Sequence, residues 1–329
     1  MNIMKKTIIA SLLAVTSLSA NAFFGSDKVT LKVAHYFNEQ HPQHIALKQF
    51  EKEVEAASDG KIDIKIFPNA QLGSEEQMIN GMRNGTIEIA LFGSLMQSLD
   101  PKLGFTETPF LIRDYPHARK VLDSDVGQEI AGVFRNFGVE HLAYSASGFR
   151  VISSNKKIEK PEDYKGVRLR VPNLATFVEM GNLLGVNPQT MAFTEVFTGL
   201  EQGVVDAQEN PMSLIKAQGF YEVQKYIIET NHMFTALNLG MNKKAFDELT
   251  EDQQAIIRKA AANYSQASWN AVVEDTQKIK QFFIDQGVTI ITPTPEFTKW
   301  NEDAMKPLYD NIFKKYDWAQ DYTNRIRAL

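Results

Sequence analysis

Residues 250–287, TEDQQAIIRKAAANYSQASWNAVVEDTQKIKQFFIDQG, carry an uninterrupted helical pattern that is too long for one lobe of a small protein. Thr250 and Gln253 have the spacing of a capping box, and helical periodicity then continues with neither proline nor glycine before Gly287. At 1.5 Å per residue the predicted helix is about 55 Å long, which exceeds the width of a lobe of about 150 residues. No strict heptad pattern indicates a coiled-coil partner. We therefore predict a helix that supports two lobes at once.

Strand patterns alternate with helix patterns on both sides of residue 148. Before it, strands are predicted at about 29–33, 62–66, 86–93 and 138–145, with helices at 42–58, 74–85 and 116–136. After it, strands are predicted at about 150–154, 167–171 and 204–211, with helices at 173–185 and 194–203. This order predicts an α/β fold with a mostly parallel sheet, in which short strand crossings join the two lobes.

The first 22 residues have the three-part layout of a secretory signal peptide. Lys5 and Lys6 precede an apolar run that is too short to span a bilayer, and Ala20-Asn21-Ala22 supplies a small-residue cleavage site. No later segment has 18 consecutive apolar residues. We therefore expect an exported chain whose mature form does not insert into the membrane.

Composition narrows the classes of function. The chain has no cysteine, which excludes a disulfide framework, zinc–thiolate sites and cysteine nucleophiles. The formal charge is -5, and loss of the two signal-peptide lysines would make it -7. No basic tract longer than a dipeptide offsets this charge, which argues against nucleic acid and anionic membranes as partners. A small anion needs only one local positive site and stays compatible.

Residues 164–173, YKGVRLRVPN, read as a buried strand that carries a charge. Leu169 and Val171 alternate on one face, which leaves Arg170 on the other. A guanidinium keeps its charge in proteins, so Arg170 needs an anionic partner. That partner is either a carboxylate of the protein, such as Glu209, or the carboxylate of a bound ligand.

A second arginine near the predicted cleft favours a ligand carboxylate over a protein carboxylate as the partner of Arg170. Arg150 follows Gly148-Phe149 at the restart of the strand pattern, and so lies beside the predicted hinge. Two arginines that converge on one cleft would make a carboxylate site, because each planar guanidinium offers two parallel charge-assisted hydrogen bonds.

Several ordered segments resemble a known family, the periplasmic substrate-binding proteins of TRAP transporters, also called DctP-like. The resemblance rests on GVRLRVPN (166–173), MAFTEVFTGLEQGVVDAQENP (191–211) and FYEVQKYIIETNH (220–232), with PNAQLGSEEQM (68–78) and GFRVISSNK (148–156) fitting the same pattern. It implies an α/β, two-lobed periplasmic-binding-protein fold with a long helix spanning both lobes and a ligand cleft between them. Lobe I would comprise residues 23–147 plus about 236–275, and lobe II residues 148–235 plus about 276–329.

The resemblance also implies a function and a site. The protein would be a periplasmic receptor that binds an organic acid, closes around it and docks on the TRAP membrane permease, as a monomer and without a cofactor. Arg170, Arg150 and Asn210 match the family's carboxylate-binding positions. Asn173 and Phe193 match lining positions of lobe II, while Tyr36, Glu75 and Ser94 match lobe I positions that contact the distal end of the ligand. For Phe193 an ordinary core position, and for Glu75 first-turn helix chemistry, are the alternatives.

Other classes of protein receive little support. A hydrolase or lyase would need a positioned nucleophile, base or metal, and neither G-x-S-x-G nor H-E-x-x-H occurs. His41 and His44 have one-face helical spacing without an evident third ligand, so we interpret them as first-turn polar residues rather than a metal site. A structural or adhesive protein would not need two arginines in a cleft.

The ligand class follows from lobe I. A C4-dicarboxylate would need a second positive group at its distal end, whereas Tyr36, Glu75 and Ser94 suit hydroxyl groups. Sialate-binding members of the family generally carry a glutamate where this chain has Gly93. We therefore predict a uronate or related sugar acid, with sialate and C4-dicarboxylates as the alternatives.

Overall fold

A computed structural model describes residues 28–93 and 95–329; the predicted signal peptide and Ser94 lie outside the described residues. The described residues contain nine strands: β1 (Val29–Ala34), β2 (Ile62–Phe67), β3 (Ile89–Phe92), β4 (Val139–Ser154), β5 (Arg168–Val171), β6 (Asn187–Thr190), β7 (Ala207–Pro211), β8 (Tyr226–Asn242) and β9 (Thr289–Ile291). They form one sheet in the order β2-β1-β3-β8-β4-β7-β5-β6, with β9 beside β8.

Twelve α-helices of the described residues cover this sheet. They are α1 (Pro42–Ala57), α2 (Glu75–Asn84), α3 (Tyr115–Asp123), α4 (Asp125–Val133), α5 (Ala175–Leu184), α6 (Val196–Glu201), α7 (Met212–Ala217), α8 (Lys243–Asp247), α9 (Glu251–Asp285), α10 (Pro295–Ala304), α11 (Lys306–Lys315) and α12 (Ala319–Arg327). The predicted start and end signals account for several of them. Ser74 and Gln77 form the capping box of α2, and Gly85 ends that helix in the left-handed region at φ +80°.

Each end of the sheet has its own apolar core, which gives the fold its two lobes. In lobe I, β1–β3 and α1 bury Leu31, Val33 and Phe50. In lobe II, β5 and α5 bury Leu169 and Phe177 together with residues of α10 and α11. The ranges predicted for the two lobes stay a prediction. The C-terminal helix α12 packs against α3 and α4, with Ile326 in the same cluster as Val121 and Ile130.

Two long antiparallel strands connect the lobes. β4 has 16 residues and β8 has 17, so at about 3.3 Å per residue each is more than 50 Å long. They pair from Val139 with Asn242 to Ser154 with Tyr226, and three register shifts interrupt the ladder. The strands therefore bend between the lobes without ending.

Helix α9 confirms the central prediction from the sequence. It has 35 residues, about 52 Å at 1.5 Å per residue, and the Thr250–Gln253 capping box opens it. Its first half packs in the core of lobe I through Ile257 and Tyr264. Its second half packs against lobe II through Ile279 and Phe283. One rigid element thus lies along both lobes, beside the long strand pair.

Three features of the sheet differ from prediction. The strands predicted at 138–145 and 150–154 are one continuous strand, because Gly148 adopts φ +120° at a bulge instead of ending the strand. Strands β6, β8 and β9 had no prediction. Parallel pairing is confirmed within each lobe, whereas β3, β8, β4 and β7 pair antiparallel in the middle.

The helical stretch predicted at 116–136 is two helices and a short 3₁₀ turn. Ser124 ends α3 and also caps α4, accepting a hydrogen bond from the Gly127 amide at 3.4 Å. An N-cap serine has extended backbone angles, and ψ 173° at Ser124 interrupts the helical path.

Candidate functional site

Neighbouring strands bring the three predicted carboxylate-binding residues together in lobe II. Arg150 lies on β4, Asn210 on β7 and Arg170 on β5, and β7 lies between the other two. In register, Asn210 pairs with Val151 and Arg170 pairs with Gln208. The two arginines, about 20 residues apart in sequence, are thus separated by a single strand.

Arg170 is a buried cation with few partners. Its side chain emerges from β5, and the residue is only 3% exposed. The guanidinium donates to the Met191 carbonyl, from Nε at 3.0 Å and from Nη2 at 2.6 Å. Among the described residues it belongs to no ion pair, and burial lowers its pKa to about 10. Within residues 28–93 and 95–329, Arg170 therefore lacks a counterion at ion-pair distance.

Arg150 has the opposite surroundings. Its Nε and Nη2 form a two-pronged ion pair with the Glu209 carboxylate, at 2.8 Å for Nη2 and Oε1. Nη2 also donates to the Glu209 carbonyl at 2.7 Å, and Nη1 donates to Thr235 Oγ1 at 3.1 Å. Burial alone would lower the pKa of Arg150, but Glu209 offsets this effect and raises it. The protein carboxylate considered for Arg170 is thus the partner of Arg150.

Asn210 is part of the same buried network. Its Oδ1 accepts from Arg150 Nη2 at 3.1 Å, and its Nδ2 donates to Gln208 Oε1 at 2.6 Å. Sequence reasoning missed another member, His232, whose Nε2 lies 3.2 Å from Glu209 Oε2. Nothing in the pattern of β8 marked that histidine, because its partner comes from a strand 23 residues earlier.

A cavity of about 470 Å³ lies against Arg170. This volume is within the range of about 300–1,000 Å³ that is usual for small-molecule sites. Four predicted site residues line it: Arg170, Asn173 and Phe193 from lobe II, and Glu75 from lobe I. Arg150, Asn210 and Tyr36 are not among its lining residues.

The wall from lobe I carries an acid with a raised pKa. Glu75 Oε1 accepts a hydrogen bond from the Gly93 amide at 2.7 Å, and desolvation raises the pKa of the carboxyl to about 7. The residue begins α2, so first-turn chemistry and a position on the cavity wall apply to it together. A methyl group on Gly93 would lie 3.4 Å from Glu75 Oε1 and 3.8 Å from Tyr36 Oη. The missing side chain thus leaves space between these two residues.

Aromatic rings meet where the lobes touch. The ring centroids of Tyr36 and Phe193 are 5.3 Å apart, and the Arg170 guanidinium lies 5.9 Å from the Phe193 centroid. Phe193 is partly buried and packs against the core of lobe I, so it combines the core role and the lining role that the sequence offered as alternatives. Tyr36 is almost fully buried beside it. Ser94, the remaining predicted residue, lies outside the described residues.

The histidines near α1 have structural partners. His41 Nδ1 accepts from the Gln43 amide at 3.2 Å, and its ring stacks on Phe37 at 4.2 Å. His44 Nδ1 lies 3.1 Å from His35 Nε2. Within residues 28–93 and 95–329, no group of three histidine or acidic side chains could hold a metal ion. In the same part of the chain, no helix combines the length and apolar character needed to cross a membrane.

Comparison with known proteins identifies the relatives of this chain. The profile of the family described as bacterial extracellular solute-binding protein, family 7 (DctP), matches residues 33–316. A TRAP periplasmic solute-binding protein of Haemophilus influenzae, solved with bound L-gulonate, is similar with a TM-score of 0.90 and 44% identity over 92% of this chain and 99% of that one.

Two further relatives have ligands in their names. A TRAP periplasmic solute-binding protein of Roseobacter denitrificans, solved with L-galactonate, has a TM-score of 0.81 and 31% identity over 87% of this chain and 99% of that one. The 2,3-diketo-L-gulonate-binding periplasmic protein YiaO of Escherichia coli K12 is 35% identical over 88% of this chain and 89% of its own.

Proposed function

Because this chain belongs to the family 7 bacterial extracellular solute-binding proteins, the receptors of TRAP transporters, we propose that it binds a six-carbon sugar acid by its carboxylate. The observation that carries the proposal is Arg170: a buried guanidinium that forms no ion pair with any residue that the structure describes, on the wall of a cavity between two lobes. Such a cation is costly to bury alone. A ligand carboxylate would supply the missing charge through two parallel hydrogen bonds.

The neighbouring arginine would have a supporting role. Arg150 is already neutralised by Glu209, so its contribution would be to hold Asn210 in place and to add positive potential to the site. Asn173 and Phe193 would then contact the body of the ligand from lobe II.

The composition of the cavity favours a ligand with one carboxylate and several hydroxyl groups. Among its described lining residues, Arg170 carries the only positive charge, whereas Glu75, Glu76 and Glu195 are acidic. A second carboxylate at the distal end would therefore meet repulsion. Sugar hydroxyls could donate to Glu75 and exchange hydrogen bonds with Tyr36. The ligands named for the three relatives, L-gulonate, L-galactonate and 2,3-diketo-L-gulonate, fit this description.

The biological role follows from the family. The receptor would work in the periplasm after cleavage of residues 1–22, and the lobes I and II predicted from the sequence would close over the acid. The closed form would then deliver its ligand to the TRAP permease in the membrane. Closure by hinge motion of two lobes around a ligand is a common way to report occupancy to a partner.

Calorimetric titration with a panel of acids tests the proposal. L-gulonate, L-galactonate, glucuronate and galacturonate are compared with N-acetylneuraminate, succinate and L-gulono-1,4-lactone, which lacks a free carboxylate. We expect submicromolar binding of at least one sugar acid and none of the lactone. NMR of the recovered ligand should show it unchanged, as for a receptor. Tight binding of succinate or sialate with silent sugar acids would refute the ligand class, and conversion of the ligand would refute the receptor role.

A further inference from the structure

A second cluster of arginines lies in lobe I, outside the ligand cavity. A groove of about 450 Å³ runs between α3, α4, the start of β4 and α9. Its lining shares no residue with the cavity beside Arg170. The groove contains three guanidinium groups, Arg119, Arg135 and Arg258, and two carboxylates, Asp123 and Glu140.

At one end of the groove, two arginines share one buried carboxylate. Arg135 donates to Glu140 from Nε at 2.8 Å and from Nη2 at 2.9 Å, and Arg258 donates to the same carboxylate from Nη2. The Glu140 side chain is 4% exposed, and although burial alone would raise its pKa, the two arginines lower it. Glu140 is therefore ionised at neutral pH, and Arg135, Arg258 and Glu140 together carry one net positive charge. Asp247, which also acts on Arg135, is paired with Lys243.

The two guanidinium groups are held in fixed positions with donors to spare. The two-pronged pair with Glu140 sets the plane of Arg135, and Arg258 lies 4.7 Å from the centroid of the Phe246 ring. Each guanidinium has five N–H donors, of which the bonds to Glu140 use two in Arg135 and one in Arg258. Their side chains are 56% and 44% exposed, so the remaining donors can reach a solute in the groove.

At the other end of the groove, one positive and one negative charge cancel. Arg119 donates from Nε to Asp123 Oδ2 at 2.6 Å, and its guanidinium lies 5.5 Å from the Trp269 ring. Arg258 and Trp269 are 11 residues apart on α9, about 16 Å along the helix axis. The excess positive charge therefore belongs to the Arg135–Glu140–Arg258 cluster and not to the groove as a whole.

We propose that this cluster is a second anion site, which takes a small oxyanion such as phosphate or a free carboxylate between Arg135 and Arg258. Guanidinium groups bind such anions through paired N–H donors, and groups already held in place lose little freedom on binding. The site is independent of the proposed sugar-acid function, because none of its residues lines the ligand cavity.

The chain offers a matched control. In lobe II, Arg168 and Lys156 share the Asp206 carboxylate, with Arg168 Nη2 at 2.7 Å and Lys156 Nζ at 2.9 Å. That trio has the same charge count and a similarly exposed arginine, but neither Arg168 nor Lys156 lines the groove. Binding that depends only on local net charge would use both clusters equally.

The experiment is a titration with inorganic phosphate in the Arg170→Ala background, so that the ligand cavity cannot contribute. Saturable binding is followed by calorimetry and by ³¹P NMR, first without a further change, then with Arg258→Gln, Arg135→Gln or Arg168→Gln. We expect Arg258→Gln and Arg135→Gln each to weaken binding about tenfold or more, and Arg168→Gln to change it less than about twofold. Urea unfolding of each variant identifies any that is not folded, in which case the other groove variant decides.

Three outcomes would overturn the proposal: no saturable phosphate binding, equal weakening by Arg168→Gln, or no effect of either groove substitution. Failure of the proposed sugar-acid function can be distinguished from these outcomes. In that case the wild-type chain would bind none of the sugar acids, while the phosphate titration in the Arg170→Ala background would still test the second site.

Discussion

The two arginines of the candidate site, Arg150 and Arg170, are both buried and lie on the two strands that flank β7, yet their hydrogen-bond partners differ. Arg150 is enclosed by Glu209, Asn210 and Thr235, and its pKa is raised. Arg170 bonds only to the Met191 carbonyl among the described residues, and burial lowers its pKa. The difference indicates a division of labour. We propose that Arg150 stabilises the fold through Glu209, whereas Arg170, which forms no ion pair with a described residue, binds the carboxylate of the ligand.

The largest expected effect falls on the stability of the Arg150 network. Arg150→Met would leave the Glu209 carboxylate buried without its cation and should lower the free energy of unfolding by about 3–5 kcal/mol. The double variant Arg150→Met/Glu209→Gln removes both charges and should recover at least half of that loss. Urea denaturation measures both. A loss below about 1 kcal/mol in the single variant would show that the ion pair is not structural.

The matching change at Arg170 should affect binding instead. Arg170→Ala should weaken sugar-acid affinity by about 2–5 kcal/mol, roughly 30- to several-thousand-fold, because it removes one partner of a desolvated charge pair. The free energy of unfolding should change by less than about 1 kcal/mol, since the burial of this cation is itself unfavourable. Calorimetry and urea denaturation give the two numbers. Arg170→Lys is the control for charge: a point charge cannot reproduce two parallel hydrogen bonds, so binding should weaken here too. A sugar-acid affinity of Arg170→Ala within threefold of wild type would contradict the ligand-binding role of Arg170, and with it the difference between the two arginines.

The wall facing the arginines gives a pH-dependent prediction. The pKa of Glu75 is raised to about 7, so the folded state holds this proton more tightly than the unfolded state. The associated stability is full below the ordinary value near 4.5 and is lost as pH rises through 7. Glu75→Gln removes the titration and should raise the free energy of unfolding by about 1–3 kcal/mol at pH 8, with little change at pH 4. Parallel curves for the two proteins between pH 4 and 8 would contradict the raised pKa.

The smallest expected effect concerns His41, which caps α1 and has no part in the candidate site. Burial lowers its pKa to about 3, so it contributes stability above its ordinary pKa of 6.5 that is lost as pH falls toward 3. His41→Asn keeps an acceptor for the Gln43 amide at the start of α1 but cannot titrate. Between pH 7.5 and 5.5 the variant should lose about 1 kcal/mol less than wild type. Chemical denaturation at the two pH values measures this difference, and equal losses would show that His41 is not the titrating group.

Much of the architecture could be predicted because it depends on local signals. The capping boxes at Ser74 and Thr250, the glycine after α2 and the alternation in β1 all act within a few residues. The same holds for the arginine-bearing strand: alternation around Arg170 identified a buried charge before any partner was known.

The features that the sequence did not predict depend on pairing between strands that are distant in sequence. The sequence predicts two strands within β4, at 138–145 and 150–154, with Gly148 between them, and only the pairing with β8 shows that the strand continues. The sequence also leaves the partner of Arg170 open between Glu209 and a ligand carboxylate, whereas in the structure Glu209 pairs with Arg150. Glu209 lies on β7, and the strands that carry Arg150 and Arg170 are its two neighbours in the sheet. Both arginines are therefore within reach of Glu209, and the order of the strands depends on long-range pairing that local sequence patterns do not reveal.

A crystal structure of the complex with L-gulonate tests the central claim most directly. We predict that the ligand carboxylate lies about 2.7–2.9 Å from two guanidinium nitrogens of Arg170, with its hydroxyl groups toward Glu75 and Tyr36 and the Arg150–Glu209 pair unchanged. A carboxylate bound elsewhere in the cleft, with Arg170 still bonded only to the Met191 carbonyl, would contradict the account.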